Sequence, residues 1–209
     1  MSQKISLKEI ERKVFTSTFQ DGVWDIVLGL WLLTMGIAPL LEKVIPLSDW
    51  WIMILSVPVM LALWSGKKFI TIPRMGLVKF GPNRKSLLSL ILTIVSVTLF
   101  LSLFLGVLFA TNRIPSELAT GISMPVIVWV VLFIVGFSLA AHFLNLNRLY
   151  AYGVLFAVAL PVRIILKQIP NLKGISLSAY FVSASIILLI GTTILIRFLR
   201  DHPIPTAEA

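Results

Sequence analysis

The sequence predicts an all-α membrane protein: six transmembrane helices, an N-terminal interfacial amphipathic helix and a short β-prone cytoplasmic loop. Three observations carry this. First, 58% of the 209 residues are hydrophobic and only 13% are charged, against about 25% charged in soluble domains. The mean hydropathy is +0.99, and a water-soluble core cannot hide that much apolar surface, so the bilayer is the solvent. Second, the apolar residues gather into six stretches of the roughly 17–25 residues that cross a hydrocarbon layer. Third, the basic residues are partitioned between the connecting segments. Thirteen of the 18 Lys and Arg fall on one side: Lys4, Lys8, Arg12 and Lys13, then Lys67, Lys68, Arg74, Lys79, Arg84 and Lys85, then Arg148, Arg197 and Arg200. Only Lys43, Arg113, Arg163, Lys167 and Lys173 fall on the other. By the positive-inside rule both termini and the long basic loop are cytoplasmic, and the expected location is the cell membrane.

Residues 1–22 form a cytoplasmic amphipathic segment. Ser6 with Glu9 is a capping-box pattern, and Leu7, Ile10, Val14 and Phe15 fall on one helical face over residues 6–20. Lys4, Lys8, Arg12 and Lys13 reach toward anionic headgroups. The segment positions the first span, with partner docking as the alternative. The apolar run begins after 22 mixed-charge residues with no A-x-A site, so the first span is expected to serve as an uncleaved insertion signal. The six-helix bundle occupies 23–199, with spans at 23–41, 50–66, 87–110, 125–143, 150–166 and 177–199. Pro161 and Arg163 interrupt the fifth, so it either crosses or only dips into the bilayer. Arg163 is expected to snorkel outward. Trp50, Trp51 and Trp64 bracket the second span as interface anchors. The extracytoplasmic loops at 42–49, 111–124 and 167–176 are too short for an outside domain. Residues 200–209 form a short disordered tail, because Pro203 and Pro205 stop the helix.

Loop 67–86 stands apart. It carries Lys67, Lys68, Arg74, Lys79, Arg84 and Lys85 and no acidic residue. Phe69, Ile70, Ile72, Val78 and Phe80 favour strands. Pro73 and Gly76 bracket one turn, and Gly81-Pro82-Asn83 marks another. A two-stranded ribbon is expected, marginal alone in water and so resting on headgroups, protein or a partner. Its cations fit anionic lipid at about 1 kcal/mol each near the surface; an ordinary positive-inside loop is the plainer reading.

D-G-V-W-D at 21–25 and P-R-M-G-L-V-K-F at 73–80 resemble elements of uncharacterised small multi-pass membrane proteins of bacteria and archaea. The resemblance covers mainly the first 90 residues. It implies the multi-pass topology and a prokaryotic source, and no activity.

Asp25 is the only acidic residue inside a span, and a carboxylate there is costly enough to need a reason. Gly22, Gly29 and Gly36 recur every seven residues, with Asp25 on the same helical face. Such a stripe admits close approach of another backbone, within the chain or between copies. Asp25 therefore faces protein, with Arg74, Arg148 and Arg197 as candidate basic partners and Asp21 one turn away in the same network. Its role is a structural ion pair, a partner contact or a proton or cation site. Pro58 and Pro161 lie at corresponding places in a three-plus-three division. Broken helices in matching halves point to a transport site, and a plain kink is the competing reading.

An enzyme is not expected. His142 and His202 lie far apart, and no zinc-protease, nucleophile-elbow or phosphate-loop motif is present. Ser96, Ser102, Ser183, Ser185, Thr192 and Thr193 are expected to bond to helix carbonyls or neighbouring helices. With no cysteine, thiol metal sites and disulfides are excluded. No cofactor or metal is expected. The net charge of +9 lies where topology demands it, so nucleic acid is not an expected partner. Two functions are carried forward. The first is a non-catalytic accessory or scaffold subunit that docks a protein partner or anionic lipid, or forms a homo-oligomer, through residues 67–86 and the Gly22/Asp25/Gly29/Gly36 face. The alternative is a small transporter, or its membrane subunit, built on Asp25 and the proline-broken helices.

Overall fold

The computed structural model describes residues 19–44, 50–75 and 124–203, with isolated positions between 86 and 101. Every regular element among them is helical. They are α1 (Val23–Leu41), α2 (Trp50–Gly66), a five-residue π turn at Lys67–Thr71, α3 (Ile72–Met75), α4 (Met124–Leu144), α5 (Arg148–Gln168) and α6 (Ser178–Asp201). A 3₁₀ segment, Pro170–Ile175, links α5 to α6. Among the described residues five stretches are long and apolar enough to cross a membrane: Val23–Leu41, Ile54–Arg74, Val126–Leu144, Arg148–Gln168 and Pro170–Asp201. The expected span 87–110 and the interfacial helix 6–20 lie largely or wholly outside the described residues, as do Gly76, Lys79, Phe80, Arg84, Lys85 and the tail from 204.

Packing runs α2, α1, α6, α5, α4, with α1 on α6 the most extensive contact and α4 on α5 next. Between α4 and α5 the seam is aromatic. The Phe133 ring lies 4.7 Å from Trp129 and 5.1 Å from Phe156, and Phe137 lies 5.2 Å from Phe156. Such offset ring pairs add roughly 0.5–1.5 kcal/mol each beyond area burial. The Trp129 indole N–H donates to the Phe156 carbonyl at 3.1 Å, which gives this buried polar atom its partner. Facing away from the seams, Val131, Val135, Val154, Val182, Leu189 and Ile196 are exposed. A helix apolar on its outer face as well as its inner one suits a hydrocarbon surround.

Two local expectations are corrected. The β-prone reading of the loop fails over 67–75, where the chain stays helical. Strand propensity at Phe69, Ile70 and Ile72 is worth little against the contacts that a helical continuation gives Lys67 and Thr71, described below. The turn widens to π geometry just before Pro73, with the Ile72 N–H bonded to the Lys67 carbonyl five residues back. Pro73 brings no N–H and crowds the carbonyl four residues earlier, so a widened turn sits where an ordinary α turn meets the most resistance. The fifth span is also unbroken: α5 carries Pro161 inside 21 continuous residues, as α2 carries Pro58 inside 17. Arg163 is half-buried, with its guanidinium 5.5 Å from the Tyr180 ring centroid on α6. A cation over a ring satisfies the charge without full extension to water. Thr193, as expected, donates to a helix carbonyl, that of Leu189 at 2.7 Å.

Candidate functional site

The glycine stripe is spent inside the chain. A Cβ on Gly22 would lie 2.6 Å from the Gly191 carbonyl oxygen and 2.7 Å from the Leu195 nitrogen. On Gly29 it would meet the Leu188 side chain at 2.7 Å, and on Gly36 the Tyr180 Cβ at 3.2 Å. All of these neighbours belong to α6. Gly191 answers from the other side: a Cβ there would stand 2.8 Å from the Ile26 nitrogen and 2.9 Å from the Asp25 Cβ. The two backbones meet as small-residue faces permit. Gly22 has a second reason to be glycine, since its φ is +78°, in the left-handed region that side chains resist.

This tight seam sets Asp21 and Asp25 in the interior, 0% and 1% exposed. Asp21 Oδ1 accepts from the Val23 N–H at 3.2 Å, an Asx-type turn that satisfies one open amide at the start of α1. Asp21 Oδ2 accepts from Lys67 Nζ and from the Thr71 hydroxyl. Lys67 and Thr71 are four residues apart, so one helical face delivers both donors. The carboxylate also lies at the positive end of the α1 dipole.

Asp25 pairs with Arg148, the first residue of α5: Nε lies 2.9 Å from Oδ1. This is an ionic contact rather than an aligned hydrogen bond, because the Nε–H is not directed along it. The far end of the guanidinium donates to the Phe19 carbonyl. Of the three bases that the sequence offered to Asp25, the fold selects Arg148. Arg74 instead donates to the Ile70 carbonyl at 3.0 Å, and Arg197 is exposed on α6. Tyr152, four residues after Arg148 and fully buried, stands beside the carboxylate. Its hydroxyl and Asp25 Oδ2 make no hydrogen bond within normal geometry.

The result is a neutral buried cluster of two acids and two bases. It joins the chain before α1, the end of α2 and the start of α5 against the α6 backbone. Lys67, expected on a docking surface, is turned into the bundle. Lys68 is exposed, with Nζ 4.6 Å from the Trp64 ring centroid and 5.6 Å from that of Phe69. Pro58 and Pro161 take no part in the cluster. Sequence reading missed the inward turn of Lys67 and the roles of Thr71, Tyr152 and Gly191. The available signal was spacing: Lys67/Thr71 and Arg148/Tyr152 are each i,i+4 pairs of a base and a hydroxyl.

Among the described residues no three His, Asp or Glu side chains converge to hold a metal ion. His142 and His202 lie at the ends of α4 and α6. No protein-family model matches the chain, and no curated protein or solved structure matches it either.

Proposed function

We propose that the protein is a non-catalytic accessory or scaffold subunit of the cell membrane, with both termini cytoplasmic, that docks a protein partner or anionic lipid through the basic segment 67–86. What supports this reading is the closure of the buried charge. Asp21 and Asp25 each meet a base from another part of the chain, through Lys67 and Arg148. A cluster neutralised in this way holds several segments in register and leaves the remaining bases of the segment for other work. With Lys67 committed internally, docking falls to Lys68, Arg74, Lys79, Arg84 and Lys85. With Gly22, Gly29 and Gly36 sealed against α6, a homo-oligomer would form on another face.

The test is the triple variant Arg74→Gln, Lys79→Gln, Arg84→Gln, purified in lipid nanodiscs with whatever co-purifies. Loss of a stoichiometric partner, or of retained anionic lipid, with the bundle still inserted is the expected result. Unchanged co-purification rejects the role of this segment.

The transporter reading retains one observation in its favour. Asp25 is buried inside α1 with the buried Tyr152 hydroxyl beside it, and a carboxylate within a span is a common mark of a proton or ion pathway. Against it, α2 and α5 are continuous through their prolines. Proton flux in proteoliposomes that disappears in Asp25→Asn would favour transport over the scaffold.

A further inference from the structure

At the end of the bundle where α5 begins and α6 ends, a cavity of about 490 Å³ opens beside the buried cluster. Its floor is apolar: Leu146 and Phe198 are buried and Ile194 is half-buried. Its walls are polar. Gln20, Asn145 and Asn147 bring carboxamides, Arg148 and Arg197 bring guanidinium groups, and His202 brings an imidazole. Asp201 is the single carboxylate among them.

The cavity wall is shaped by a tight reversal between α4 and α5. Asn145 takes a left-handed φ of 54°, and the Leu146 N–H closes back on the Ala141 carbonyl at 3.1 Å. This helix-ending geometry puts Asn145 and Asn147 on the surface, flanking a buried Leu146. The His202 ring stacks on Phe198, 4.7 Å between centroids, so wall and floor are packed together.

We propose that this cavity binds the phosphodiester headgroup of an anionic phospholipid. Arg148 and Arg197 line the cavity together with three carboxamide side chains, and guanidinium and amide N–H groups are donors that phosphate oxygens accept well. The apolar floor suits the first carbons below a headgroup. The cavity also lies where two spans end, the level at which headgroups sit beside a bundle. Arg148 lines the cavity while its Nε lies 2.9 Å from Asp25 and its Nη2 donates to the Phe19 carbonyl. Its charge is shared with Asp25, so the exposed Arg197 is the main cationic contact, and an anion held there would rest beside the buried cluster. This site uses none of the residues of segment 67–86. It therefore goes beyond the docking role proposed above and can fail separately from it.

The test uses the full chain in phosphatidylcholine nanodiscs doped with phosphatidylglycerol, read by native mass spectrometry of lipid retained on extraction. A photoactivatable phosphatidylglycerol maps the site. The expected result is one retained phosphatidylglycerol, cross-linked to 145–148 or 194–202. Arg197→Gln, at an exposed position, should weaken retention about fivefold, and Arg197→Lys should keep part of it. Asp201→Asn, which removes the opposing carboxylate, should strengthen it. The triple variant of segment 67–86 should leave this bound lipid in place. No retention by the wild type overturns the proposal, as does retention by Arg197→Gln equal to wild type. Cross-links confined to other segments, or loss only in the triple variant, also overturn it. Arg197-dependent binding of inorganic phosphate, without preference for phosphatidylglycerol over phosphatidylcholine, means a free-anion site and overturns it too.

Discussion

At the scale of single residues, the α1–α6 seam ranks its own substitutions. Gly22→Ala and Gly191→Ala drive a methyl into backbone atoms 2.6–2.8 Å away, and backbone cannot rotate aside. Gly29→Ala meets Leu188 Cγ and Cδ2 at 2.7 and 2.8 Å, side-chain atoms that can give where backbone cannot, and should cost about 1–3 kcal/mol. Gly174→Ala meets nothing within 4 Å and should be silent. Thermal unfolding in detergent should therefore fall most for Gly22 and Gly191, less for Gly29 and not at all for Gly174. An equal response at all four positions would mean that α1 and α6 do not meet here. The ion pair makes a second prediction. Asp25→Asn or Arg148→Gln alone leaves a buried charge without its counterion, a loss of about 3–5 kcal/mol. The double variant should lose less than the sum of the two. Strict additivity in a double-mutant cycle would deny the contact.

At the scale of elements, proline decides less than its reputation suggests. Pro161 removes a donor from α5, yet the helix runs on, because neighbouring helices hold it. Pro161→Ala restores that donor and should raise thermal stability, by up to about 3 kcal/mol, with topology unchanged. A fall in stability would reveal a bend that packing requires. The π turn after α2 teaches the complementary lesson. Phe69, Ile70 and Ile72 suggested strand on local preference, but a strand over 67–71 would set Lys67 and Thr71 about 13 Å apart along one face, too far to share the Asp21 oxygen that both reach. Removing the Thr71 hydroxyl with Thr71→Val takes one donor from a buried anion. It should cost about 1.5–3 kcal/mol, measured as a drop in the unfolding midpoint.

At the scale of the whole molecule, the charge pattern and the buried cluster fit together. The basic residues that set the expected orientation include Lys67 and Arg148, the two that enter the interior to meet Asp21 and Asp25. The protein has no native cysteine, so single introduced cysteines report topology without background. Thiols at Ser2 and Thr206 should react only with reagent reaching the cytoplasmic face, and one at Thr120 only from outside. Labelling of positions 2 and 206 from opposite faces would mean an odd number of crossings, and the charge-based orientation would fall.

Composition and hydropathy by themselves determined the bilayer-like character of the chain and where the apolar helices among the described residues lie. The first two expected spans, 23–41 and 50–66, coincide with α1 and α2, and 125–143, 150–166 and 177–199 differ from α4, α5 and α6 by one or two residues at each end. Transfer to hydrocarbon is a local, nearly additive property of successive residues, so it can be read along the chain. The placement of Asp25 on the glycine face was legible for the same reason, because helical periodicity is local. Tertiary structure alone decided which helix meets that face, which of three arginines meets Asp25, and that Lys67 turns inward while Lys68 does not. Lys67 and Thr71 reach Asp21 across 46 and 50 residues of chain, and Arg148 reaches the Phe19 carbonyl across 129. Pairings at such separations depend on how helices pack, and candidate partners of the same charge and similar reach are equivalent until they do.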